Sequence, residues 1–240
     1  MSPTNRTFLS IVMPFLICVG ACTNPPGGET ARKDIVGTEE KLYSQNNEEI
    51  IIRDFFQDRR DGVFLDIGCA WPQRNNTTFY LEKHLGWSGI AVDALNEYGP
   101  GWAAQRSNAK FFSFLVTDHS DTEDPFFRAA WTGVSSAKKE QVEKMKVDYK
   151  EIKVPTITID KLLELSKTPH IDFVSMDIEG AQMQALAGFD IDRYKPELIC
   201  IEAYQPDRKP ILDFFEEHGY ERIERYLQHD RINWYFTPKG

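Results

Sequence analysis

The sequence predicts an α/β domain of Rossmann-like, doubly wound type, with a mostly parallel sheet, helices on both faces and an antiparallel edge strand. Three observations predict it. Short apolar runs alternate with segments of helical periodicity, the pattern of successive βαβ units. Four of the runs end in an acid or carry one just beyond (Asp66, Asp93, Asp118 and Asp177), with Glu202 near the end of a fifth. The last two apolar runs follow each other without a helix between them and read as a closing antiparallel pair. A chain of 240 residues, 41% hydrophobic and 27% charged, suits one such domain with short extensions.

Residues 1–21 read as an export signal. One arginine, Arg6, precedes "FLSIVMPFLICVGAC", which is short for a membrane span but fits the apolar core of a signal peptide. The run ends in Val19-Gly20-Ala21-Cys22, similar to a bacterial lipobox, so Cys22 is the expected lipidation site. Residues 22–43, rich in Pro, Gly and charge, read as a tether, and 44–240 as the folded domain. The expected location is therefore the cell envelope, membrane-anchored, or the cytoplasm if the segment is no export signal. Cys69 and Cys200 remain in the domain; without CxxC spacing they read as buried thiols.

Within the domain, "NNEEIIIRDFFQD" has the apolar spacing of a leading helix. A first strand covers 62–67, and "NTTFYLEKHLG" forms a helix stopped by Gly86. "SGIAVDA" is a second strand, and Gly99-Pro100-Gly101 breaks the helix expected over 97–107. "AKFFSFLVTD" is a third strand ending near Asp118. Residues 119–151 are polar with aromatic islands and read as an insertion or lid, with 128–150 shaping an acceptor pocket. "IKVPTIT" is a short edge or connecting strand because of Pro155. The helix "IDKLLELSK", the strand "IDFVSMD", the helix "EGAQMQALAGF" and the strand "PELICIEAY" follow. "PILDFFEEHG" is the last helix, before the strands "YERIERY" and "INWYFTP".

Ligands of open α/β sheets bind outside the carboxyl ends of the strands, where the acids collect. A net charge of -9, with its one basic cluster at Lys138-Lys139 set among acids, argues against nucleic acid as partner. The first turn, "VFLDIGCAWPQRNN", has one glycine where a dinucleotide fingerprint needs three. An acid-lined crevice without a phosphate cradle suits S-adenosylmethionine, which carries a sulfonium, an ammonium and a ribose diol but no phosphate. In that reading Gly68 lets the backbone approach the methionine end, Asp66 orients the ammonium, Asp93 accepts from the ribose and Asp118 reaches the adenine. Taken singly, Asp66 and Asp118 read as turn or cap residues, and Asp93 would serve a nicotinamide cofactor as well. Asp177, Glu179 and Glu202 crowd charge at the crevice, raise at least one pKa and offer a general base for a hydroxyl. Glu179 reads equally well as a cap of the helix beyond Gly180. A divalent cation would fit acids so placed, but no histidine joins them at ligand spacing, and no metal is expected.

"YSQNNEEIIIRDFF", "VFLDIG", "FYLEKHLGWSGIAVD", "TITIDKLL", "IDFVSMDIEGAQMQALAG" and "PELICIEAY" resemble the successive blocks of FkbM-type methyltransferases, over about residues 43–237. The resemblance implies a Rossmann-like, S-adenosylmethionine-dependent enzyme methylating hydroxyls of sugars, glycolipids or natural products. By motif it implies cofactor positions at Asp66, Gly68 and Asp93, and a reaction centre around Asp177, Glu179 and Glu202; Cys69, next to Gly68, is a further candidate cofactor-binding position. The family usually continues the first turn with Ala-Asn and a further glycine, whereas this chain has "CAWPQRNN". That departure leaves open a catalytically degenerate binding lipoprotein; the other alternative, a nicotinamide-dependent oxidoreductase, rests on Asp93.

Overall fold

A computed structural model of the chain describes residues 32–240, so the expected signal segment and Cys22 lie outside the described residues. The compact unit begins at Lys33. The tether expected over 22–43 therefore does not extend through its second half. Helix α1 (Ile35–Thr38) buries Ile35. Beyond it, the Glu49 carboxylate accepts from the backbone N–H of Leu42 (3.0 Å) and Tyr43 (2.9 Å). Those bonds tie the segment to α2 (Glu48–Phe56), the predicted leading helix.

The first βαβ units form as expected: β1 (Val63–Ile67), α3 (Phe79–Leu85) and β2 (Ser88–Asp93). Gly86 ends α3 at φ 73, a left-handed stop that glycine adopts without steric cost. Pro100 does not break the next helix but stands in the first turn of α4 (Gly99–Gln105), where its missing N–H costs nothing. The third apolar run divides: β3 (Ala109–Ser113) stays in the main sheet, while β4 (Leu115–Val116) joins a second sheet.

That second sheet was not legible in the sequence. It pairs β5 (Glu123–Ala129) with the long β6 (Tyr149–Ile157), and α5 (Lys139–Lys144) lies between them in the chain. β6 lies between β4 and β5, so Pro155 is in a central strand, contrary to the edge expected. It falls opposite Glu123, the first residue of β5, where the ladder is only beginning.

α6 (Ile159–Ser166), β7 (Phe173–Met176), α7 (Gln182–Ala187), a short α8 (Ile191–Tyr194) and β8 (Leu198–Glu202) restore the alternation. α9 (Arg208–Glu217), β9 (Tyr220–Arg222) and β10 (Asn233–Pro238) close the domain. The seven-stranded sheet has the order β3-β2-β1-β7-β8-β10-β9. β10 runs antiparallel to both β8 and β9, so the reversed strand lies one place in from the edge. Alternate residues of the parallel strands serve opposite faces: Leu65, Val174 and Ile199 pack in one core, Phe64, Phe173 and Leu198 in another. A sheet buried on both faces needs these apolar runs. No helix among the described residues is long and apolar enough to cross a membrane.

Candidate active site

The order of strands reverses between β1 and β7, and a cleft of about 520 Å³ opens there, beyond the carboxyl ends of β1 and β2. Gly68, Asp93, Phe114, Phe126, Asp177 and Glu179 line it. Gly68 has φ 79, and a Cβ there would stand 1.8 Å from the carbonyl oxygen of Asp177. No other residue fits that position. Ala70, where a second glycine was missed, takes φ 43. A left-handed alanine costs about 1–2 kcal/mol, and two bonds offset it. The Ala70 N–H donates to Asp93 Oδ2 (3.0 Å), and the Ala70 carbonyl accepts from Trp102 Nε1 (2.8 Å).

Asp93 also receives the Leu95 N–H at Oδ1 (2.8 Å) and keeps a solvent-accessible face in the cleft. Burial pushes its carboxyl up to about 6, opposed by the N–H groups of Leu95 and Ala70. Asp66 is placed differently. It is 4% exposed and does not line the cleft; its Oδ2 accepts from Thr78 Oγ1 (2.8 Å) and Asn76 Nδ2 (3.2 Å). Burial raises it to about 6, while Thr78, Arg106 and Asn76 pull the other way. Its work here is to hold the loop behind Gly68. The buried Arg106 completes that support, donating to Glu82 Oε2 (2.5 Å), the Pro72 carbonyl (2.9 Å), Asn76 Oδ1 (2.9 Å) and Thr78 Oγ1 (3.1 Å). "CAWPQRNN" thus keeps its shape through side-chain bonds rather than glycines. Cys69 is buried behind the loop, its thiol pushed up by burial and the nearby Asp93 and Asp66 charges.

Asp118 does not reach the cleft. The chain leaves the main sheet at Ser113, so Phe114, Leu115 and Val116 form the wall, and Asp118 emerges exposed, 2.6 Å from His119 Nδ1.

Asp177, Glu179 and Glu202 do come together: one carboxylate oxygen of each lies within 4.8 Å of the others. Asp177 is crowded by protein on all sides yet open to solvent, as a residue on a cleft floor is, and burial raises its pKa. Glu202 is 4% exposed and accepts from Gln182 Nε2 (2.9 Å). Burial, with the Asp177 and Glu179 charges, pushes it up to about 10. One carboxylate oxygen of Glu202 lies within 4.8 Å of one of Asp177, and burial with the neighbouring charges favours the protonated form of Glu202. A hard cation would suit the same spacing; a protonated Glu202 also relieves the crowding. Glu179 is raised to about 7 by burial and then by the Asp177 charge.

Glu179 is not a helix cap. The N-cap of α7 is Ala181, without a side-chain bond, and Glu179 precedes it at φ 51. Its carbonyl accepts from Ser136 Oγ (2.8 Å), a fully buried hydroxyl on the segment after β5, while its Oε2 is buried without a partner. The 128–150 segment serves both sides of the trio. Thr132, Gly133 and Ser135 line the first cleft; Lys138, Gln141 and Lys144 line a second cavity of about 560 Å³ that reaches Glu202 and Tyr204. The trio therefore stands between two cavities. Ser136, Gln182 and Arg106 escaped sequence reading, since each acts through contacts with distant segments.

A family model for the methyltransferase FkbM domain matches residues 60–222. The chain belongs to this family. As an FkbM methyltransferase it is an S-adenosylmethionine-dependent enzyme, and its residues fit that cofactor. Asp93 offers acceptors for a diol, Phe114 and Phe126 give apolar walls, and Glu179 Oε2 lacks a partner. No curated protein matches the chain. Among solved structures it is similar to a TehB-like SAM-dependent methyltransferase from Corynebacterium glutamicum (13% identity, 85% of this chain and 92% of that one, TM-score 0.47). It is also similar to precorrin-6y C5,15-methyltransferase from Geobacter metallireducens (15%, 78% and 77%, TM-score 0.43). A third is the 1,6-didemethyltoxoflavin-N1-methyltransferase of Burkholderia thailandensis, solved with 1,6-didemethyltoxoflavin and S-adenosylhomocysteine (14%, 79% and 74%, TM-score 0.36).

Proposed function

We propose that the enzyme O-methylates a hydroxyl on a sugar, glycolipid or natural-product-like acceptor. The observation that carries this reading is the carboxyl trio standing between two cavities. The cofactor supplies an electrophilic methyl group, and transfer to a hydroxyl needs alignment and a base. Glu179, raised to about 7, is ionised in part at neutral pH and is suited to accept the hydroxyl proton. Glu202, pushed up to about 10, is protonated at neutral pH and keeps the neighbouring charge low. The second cavity presents Gln141, Gln182 and Gln205 amides, the Lys138 and Lys144 ammoniums and the Tyr204 ring, a lining suited to a polyhydroxylated acceptor. The test is incubation with methyl-labelled S-adenosylmethionine and a panel of glycans and glycolipids. Label in an ether-linked methyl, reduced by Glu202→Gln, supports the reading; label confined to amines refutes it.

The sequence Val19-Gly20-Ala21-Cys22 supports a lipid tether near such acceptors. Palmitate-analogue labelling that persists in Cys22→Ala would count against the tether.

A further inference from the structure

The first cleft has an unbalanced lining. Asp93, Asp177 and Glu179 contribute carboxyls, and no lysine, arginine or histidine among the described residues lines it. One carboxylate oxygen is left over: Glu179 Oε2 is buried and has no hydrogen-bond partner. A buried polar atom without a partner costs about 1–3 kcal/mol, more when charged, so its retention asks for a ligand group that satisfies it.

The backbone is built to aim this side chain. Glu179 takes φ 51 and is followed by Gly180 at φ 90. For a glutamate that conformation costs about 1–2 kcal/mol. Ser136 sustains it. Its Oγ donates to the Glu179 carbonyl (2.8 Å) and accepts from Lys138 N–H (2.9 Å). Its own backbone pairs both ways with Phe127 (2.9 and 3.3 Å). Nothing in the start of α7 needs this arrangement, because Ala181 is the cap residue. What the arrangement achieves is a carboxyl in the wall of the first cleft, next to Gly180 in the wall of the second cavity.

We propose that Glu179 is the counter-ion of the cofactor's sulfonium, so that the site separates the cationic methyl donor from its neutral demethylated product. The inference rests on the cofactor of the family and goes beyond it in naming the residue that reads the cofactor's charge. The neighbouring groups leave the role to Glu179. Asp177, on the same loop, stands beside Glu202 at the end of β8, which burial and the neighbouring charges keep protonated. Asp93, across the cleft, is engaged by two N–H groups. From the α5 side, Gln141 offers an amide to Glu179 and Lys138 passes beside Gly180. Tyr204, beyond β8, is held neutral by burial and the trio's charge. A cation in the cleft favours ionised Glu179, and its loss favours the protonated form.

Calorimetry on the full chain with S-adenosylmethionine and S-adenosylhomocysteine at pH 5 and 8 tests this without any acceptor. If the sulfonium lowers the Glu179 pKa by about one unit, the ratio of the two affinities rises close to tenfold from pH 5 to 8. Glu179→Gln should flatten that rise and leave S-adenosylhomocysteine binding within about twofold of the parent. Ser136→Ala, which keeps the carboxylate but frees its backbone, should reduce the rise. A ratio independent of pH in the parent overturns the proposal. So does a Glu179→Gln variant that loses both ligands equally, since that places Glu179 on the ammonium they share. Should Glu179→Gln not fold, the parent and Ser136→Ala titrations decide. Failure of both ligands to bind the parent would instead remove the cofactor assignment.

Discussion

Replacing Arg106 with methionine tests how a loop with a single glycine keeps its shape. The guanidinium is fully buried and meets the 7%-exposed Glu82 carboxylate at 2.5 Å. It also bonds the Pro72 carbonyl, Asn76 and Thr78, and Thr78 and Asn76 in turn hold Asp66. Methionine fills part of the volume but leaves Glu82 charged and buried. Removing one partner of a buried ion pair costs about 3–5 kcal/mol. For a domain of this size each kcal/mol lowers Tm by about 2–4 °C, so the expected loss is about 6–20 °C. The assay is thermal unfolding by circular dichroism, with urea titration for the free energy. Arg106→Met combined with Glu82→Gln should recover part of the loss, because the stranded charge goes with the second change. A single variant within about 3 °C of the parent would refute the reasoning, since the stated cost leaves no room for so small a shift.

Gly68→Ala should abolish cofactor binding and destabilise the fold by several kcal/mol, as its Cβ meets the Asp177 carbonyl at 1.8 Å; binding of S-adenosylhomocysteine and Tm report it. Asp93→Ala should weaken both cofactor forms by roughly 1.5–3 kcal/mol, about ten- to a hundredfold, and calorimetry at fixed pH checks that the two losses match. Asp66 and Asp93 at about 6 and Glu179 at about 7 all lie above their unfolded values. The folded state therefore binds protons more tightly, and apo stability should fall as pH rises from about 4 through 7, seen as a falling Tm. Glu202→Gln should leave Tm at pH 7 nearly unchanged, because burial already keeps that side chain protonated there, while methyl transfer drops. Millimolar magnesium or a chelator should not alter cofactor affinity, measured by calorimetry, because a protonated Glu202 already offsets part of the trio's charge.

The main sheet was legible because parallel strands buried on both faces leave unbroken apolar runs, as in Val63–Ile67 and Leu198–Glu202. Acids at the tips of those runs converge by topology alone, which is why Asp93, Asp177 and Glu202 were readable. Asp118 misled because "AKFFSFLVTD" is continuous in apolar character while the chain changes sheets at Phe114, a tertiary event with no local mark. β5 and the first half of β6 are half-exposed strands of mixed charge, and their pairing is decided by each other rather than by either sequence. Pro155 argued for an edge because it gives no ladder N–H; in the structure the need for one is only beginning there. The tether reading failed over 33–43 for a related reason: polar residues there are fixed by Glu49 and Gln57 of α2 and its flank.

The contact of Gly68 with the Asp177 carbonyl has a consequence for anyone rebuilding this enzyme. The two loops, remote in sequence, are closely fitted: the Asp177 N–H donates to the Ile67 carbonyl (3.0 Å), and neither backbone can move inward without displacing the other. Grafting the first-strand loop of a relative onto this scaffold would therefore fail when done alone and succeed when the loop after β7 is transplanted with it. The unit of exchange between such enzymes is the pair of loops, while the exposed residues 73–75, between Pro72 held by Arg106 and the buried Asn76, are free to differ in composition.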